Sequence, residues 1–96
     1  MKYVAFWSIC PEDWDKVIEK FRLAMAERAK GSDKFPKVLV ENYAIAGQWR
    51  GFMLYEDATP EQLANVTLYY RPEVKFEFLP IMEATKVIEI YMKTKK

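Results

Sequence analysis

No histidine occurs anywhere in the 96 residues. That absence removes Ser-His-Asp and Cys-His nucleophilic catalysis, imidazole metal sites and histidine-held haem. Cysteine occurs once, as Cys10, so no disulfide can form within the chain and a reducing, cytoplasmic setting is expected. No apolar run approaches the roughly 20 residues of a membrane span, so no membrane partner is expected. The apolar run from Tyr3 to Cys10 gives way at once to Pro11-Glu12-Asp13 and lacks the small-residue site of a cleaved leader. Charge of one sign is scarce too: 15 basic residues face 14 acidic ones, for a net charge of +1. A nucleic-acid partner calls for a basic excess or stripe, and none is expected here. The basic cluster Lys93, Lys95 and Lys96 reads as a solvated end. No metal-ligand spacing and no cofactor motif is present, so neither a metal nor a cofactor is expected.

What the chain does have is bulk. Hydrophobic residues make up 51% and aromatics 16%, in a chain long enough for one domain, residues 1–96. A domain of this size buries roughly 60–65% of its unfolded surface. So many large side chains point to a second buried surface beyond the core.

Residues Lys2 to Ile9 are almost all apolar or aromatic, the pattern of a central strand covered on both faces. Pro11 suits a first helical position with Cys10 at the cap. Trp14, Val17, Ile18, Phe21, Ala24, Met25 and Arg28 then recur at helical spacing up to Gly31, a C-terminal stop. Val38 to Ala46 and Trp49 to Glu56 read as a hairpin closed by a two-residue type II′ turn at Gly47-Gln48. Thr59-Pro60-Glu61-Gln62 is a capping box opening a helix that stops before Pro72. Val74 to Met82 reads as a fourth strand. Glu83 to Lys95 reads as a terminal amphipathic helix, although its β-branched residues leave a fifth strand open.

The order is βαββαβ, a ferredoxin-like α+β arrangement with two helices on one face of the sheet. The hairpin register assigns Val38, Val40, Asn42, Ala44, Ala46, Trp49, Gly51, Met53 and Tyr55 to the helix side, where the small residues Ala44, Ala46 and Gly51 admit a helix. Leu39, Glu41, Tyr43, Ile45, Arg50, Phe52, Leu54 and Glu56 then take the open side. On the fourth strand Val74, Phe76, Phe78 and Pro80 point inward, and Lys75, Glu77, Leu79 and Ile81 outward. For the first strand, Tyr3/Ala5/Trp7 and Val4/Phe6/Ser8 fit equally, because both sets are apolar. So large an exposed apolar face is unusual on a monomer. A second copy stacked face to face is the expected partner, forming a homodimer.

The opening Met1-Lys2-Tyr3-Val4 with Trp7, the segment Arg50-Gly51-Phe52 and the strand Phe76-Glu77-Phe78-Leu79-Pro80-Ile81 resemble the dimeric α+β barrel superfamily. They are most similar there to a family of small microbial domains of unknown function. The resemblance spans nearly the whole chain and implies a dimer with a central cavity. Its other members include cofactor-free monooxygenases, muconolactone isomerase, ligand-sensing modules and haem-degrading enzymes. The haem-degrading branch depends on a histidine that this chain lacks.

The expected function is a homodimeric binding or structural module holding a small apolar or aromatic ligand between its sheets. The candidate ligand-binding residues are Tyr43, Phe52, Arg50, Trp7 and Glu41. Aromatic rings line apolar pockets, and a guanidinium grips carboxylates by its planar fork. The rival is a cofactor-free monooxygenase- or isomerase-like enzyme in the same space. Its acid/base would be Glu77, a carboxylate facing apolar surroundings. Arg50-Gly51-Phe52 also resembles the reading strand of an RNA-binding sheet. Leu54 and Asp57 stand where that pattern wants aromatics, which makes RNA the remotest reading.

Overall fold

In the computed structural model, which describes residues 1–95, β1 (Lys2–Ile9), a 3-10 turn (Pro11–Asp13) and α1 (Trp14–Ala29) come first. There follow β2 (Lys37–Ala44), β3 (Arg50–Asp57), α2 (Pro60–Tyr70), β4 (Val74–Ile81) and α3 (Ala84–Thr94). The described residues form an α+β fold, with three α-helices and a four-stranded sheet in the order β2-β3-β1-β4. Every neighbouring pair is antiparallel. Among the described residues no helix is long and apolar enough to cross a membrane.

Local chemistry sets the helix ends. Thr59 Oγ1 accepts from the Gln62 amide at 3.1 Å, and Gln62 Oε1 accepts from the Thr59 amide at 3.1 Å. This reciprocal box satisfies two donors that a helix start would otherwise leave unpaired. Pro11 bends the chain into a 3-10 turn before α1, and Cys10 makes no side-chain cap bond. Gly31, at φ 85°, ends α1. Its amide donates to the Arg28 carbonyl at 2.9 Å and that of Ser32 to Glu27 at 3.2 Å, the double bond of a left-handed helix stop.

The hairpin departs from expectation. β2 closes at Ala44 and β3 opens at Arg50, so residues 45–49 form the link instead of a two-residue II′ turn. The Gln48 amide donates to the Ile45 carbonyl at 3.0 Å. Gly47, at φ 78°, therefore takes the third place of a four-residue turn, where type II needs positive φ. Tyr43 pairs with Phe52 and Ala44 with Gly51 as expected, but the register slips before Tyr43. Val40 pairs with Leu54 and so leaves the helix side. A bulged strand holds extra residues that strict alternation miscounts.

The choice left open for β1 is resolved by its partners. Ala5 pairs with Met53 and Trp7 with Gly51, so Tyr3, Ala5, Trp7 and Ile9 lie under the helices and Val4, Phe6 and Ser8 on the open face. The main core gathers Ala5, Ala24, Phe35, Met53, Tyr55, Ala58 and Val66; a smaller one gathers Ile9, Val17 and Val74. α1 is pinned to the loop before β4 by Lys20. Its Nζ donates to the Arg71 carbonyl at 3.0 Å and pairs with Glu73 at 2.6 Å. α3 buries none of its residues and packs substantially against no other element.

Candidate functional site

Tyr70 and Phe76 pack against both cores, and beside them, between α1 and the sheet, a cavity of about 270 Å³ remains. Strands β1 and β3 supply its floor through Trp7, Ile9 and Met53, and α1 its roof through Val17, Ile18 and Phe21. Trp14, Asn42, Ala44, Tyr70, Val74, Phe76 and Arg28 complete the lining. The helical stripe read from the sequence is thus the right stripe, only partly covered: Val17 and Ala24 are buried, while Trp14 and Ile18 remain well exposed.

Trp7 owes its position to Gly51. A Cβ at Gly51 would run into the Trp7 ring and the Tyr43 carbonyl, so only glycine lets the indole lie flat there. The indole Nε1 then donates to Asn42 Oδ1 at 2.9 Å. At the other end of the cavity Trp14 meets Trp49 edge to face, with centroids 5.4 Å apart. The loop carrying Trp49 is held by the Ile9 amide, which donates to the Trp49 carbonyl at 2.9 Å.

The polar groups here are few. Burial pushes the Tyr55 phenol up to about 12, while the Arg28 guanidinium beside it pulls the other way. Tyr70 is pushed up by burial and then by Tyr69. Both phenols are neutral at ordinary pH, as any phenol is. Arg28 Nε is buried without a hydrogen-bond partner. No histidine, cysteine or carboxylate lines the cavity.

The residues singled out from the sequence divide between the two faces. On the open side Tyr43 stacks on Phe52 with centroids 5.8 Å apart, and Phe6 tilts against Phe52 at 6.3 Å. Arg50 lies exposed opposite Ser8 on the same side. Glu77 is exposed on β4, across from Phe6. Glu41 is exposed on β2. Trp7 is separated from these five and belongs to the cavity beneath α1. Asn42 and Tyr70 escaped notice as site residues. Arg28 stood in the apolar helical stripe, and a cation in such a stripe was the available signal. Among the described residues no group of acidic or cysteine side chains is arranged to hold a metal.

Fold and site define a small α+β domain with an apolar cavity between one helix and the sheet, and a second apolar surface on the sheet's far side. The chain belongs to the family described as a domain of unknown function, DUF3303, whose pattern matches residues 1–95. No curated protein and no solved structure matches it.

Proposed function

We propose that the protein is a homodimeric small-molecule binding module of ferredoxin-like, dimeric α+β barrel type. The observation that carries the binding role is the cavity beneath α1. It is lined by apolar and aromatic side chains with a few converging polar groups, the usual make-up of a ligand site. Its volume, about 270 Å³, suits a molecule of one or two rings. Binding is favoured over catalysis because its lining offers no base active near neutral pH. This moves the ligand from between the sheets to the helix side, and leaves the open face for assembly.

The homodimer is supported by the molecule's surface. The chain exposes 7165 Å², whereas a folded monomer of 11.4 kDa exposes about 5,800 Å². The excess, about 1,400 Å² per chain, is more than the roughly 800 Å² per partner of a standard interface. Large apolar residues stand uncovered in two places. Phe6, Tyr43 and Leu79 do so on the sheet, and Val87, Ile88 and Tyr91 on α3. Two sheets face to face, with each α3 laid against the partner copy, would cover both.

Sedimentation velocity tests the assembly. The intact chain is expected to run as a dimer and a Leu54→Lys, Leu79→Lys double variant as a folded monomer; a wild-type monomer at tens of micromolar would end the proposal. The enzyme reading places Glu77 as acid/base, beside the open-face aromatics that a dimer would enclose. A Glu77→Gln variant with unchanged turnover of any substrate found would remove that role.

A further inference from the structure

We infer that the cavity beneath α1 selects a planar aromatic monocarboxylate and that Arg28 is the residue that grips its carboxylate. The inference rests on the cavity being a ligand site and adds the ligand's chemical class.

Arg28 sits in the last turn of α1, where a cation ordinarily turns outward toward water beside the helix's negative end. Here it turns inward and lines an otherwise apolar cavity. Its Nε is buried and unpartnered. Among the described residues no carboxylate forms an ion pair with it; Glu73 pairs with Lys20 at 2.6 Å and Glu19 with Arg22 at 3.9 Å. A buried donor without an acceptor is costly, and a charged one more so. The groups beside the guanidinium are the phenols of Tyr55 and Tyr70, neutral at ordinary pH as any phenol is. They cannot neutralise the cation, and of the two only Tyr70 lines the cavity.

The missing partner is therefore an anion. Its geometry follows from the fork of the guanidinium, which matches the two oxygens of a carboxylate side by side. Its body follows from the remaining walls. Trp7, Phe21 and Phe76 present rings, and Ile18 and Met53 aliphatic surface. Asn42, which also lines the cavity, already has its Oδ1 occupied by the Trp7 indole proton at 2.9 Å. One charged end and an otherwise apolar body are what these walls accept.

The test compares 2-naphthoate with its neutral twin, naphthalene-2-carboxamide, by isothermal titration calorimetry on the full chain. Naphthoate is expected to bind at least tenfold more tightly than the amide. In Arg28→Met, which keeps the apolar stem, that preference should fall below about twofold while the amide still binds, showing that the variant's cavity is intact. Equal binding of both probes to the unaltered chain, or a preference that survives in Arg28→Met, would overturn the inference and leave the cavity's binding role standing. Failure of both probes to bind would overturn both. Naphthoate binding undiminished in Phe21→Trp, which fills the cavity from its roof, would place the ligand elsewhere and also overturn it.

Discussion

Gly51 shows how much can depend on a missing side chain. Its bare backbone is the seat of the Trp7 indole and abuts the Tyr43 carbonyl, so Gly51→Ala must displace the ring or spread β2 from β3. The variant is expected to lose about 1–3 kcal/mol, the usual cost of overpacking. Urea unfolding would measure the loss, and a shift in tryptophan emission would report the displaced ring. Tyr55 gives a second, pH-dependent expectation. Its phenol rises from the ordinary 10.0 to about 12, chiefly through burial. A group whose folded value is raised keeps its full contribution below the unfolded value. That contribution is lost as pH climbs from about 10 to about 12 and the buried phenol resists ionisation. About 1.4 kcal/mol per unit makes the loss roughly 2–3 kcal/mol. Tyr55→Phe should therefore flatten the fall in stability between pH 9 and 12, read by denaturant titration at each pH.

Elements differ in how openly the sequence announces them. α2 is written in a few letters, because Thr59 and Gln62 cap each other and Pro60 can occupy a first helical turn. Thr59→Ala should cost about 1 kcal/mol, visible as a lower urea midpoint with unchanged slope. β3 was legible through its hairpin register and its small residue Gly51, and the structure keeps Met53 and Tyr55 on one side and Phe52 and Leu54 on the other. β1 was not, since both its faces are apolar and only its pairing with Gly51 and Met53 separates Trp7 from Phe6. β2 misled because its register slips: an extra residue in a strand leaves no mark in composition. The cavity was invisible for a related reason. The stripe on α1 predicted contact with the sheet, but how closely a helix settles depends on the volumes of side chains from several strands at once. Arg28 alone carried a hint, being charged at an apolar position.

The whole molecule is spread out. Its radius of gyration is 15.7 Å, against about 12.5 Å for a folded chain of this length. Its extents of 55 × 33 × 18 Å describe a slab, to which α3 adds length without adding core. The proposed dimer would thicken this slab, and its stability would then depend on concentration. The melting temperature is expected to rise as the protein is raised from about 1 to 100 μM, as mass action requires of a dimer. Ile88→Lys on α3 should weaken that dependence and leave the far-UV circular dichroism of the fold in place. A melting temperature independent of concentration would argue that the slab stands alone.

The outer strands carry one more consequence. β2 and β4 form the two borders of the sheet, and a bare border invites another strand to join it. β2 presents a slipped, bulged ladder instead of a straight one. β4 carries Pro80, which has no amide proton to offer, and the charges of Lys75 and Glu77. These devices discourage sideways growth of the sheet into ribbons or fibrils. A chain this rich in aromatics can therefore keep a broad greasy face without inviting strands onto its borders.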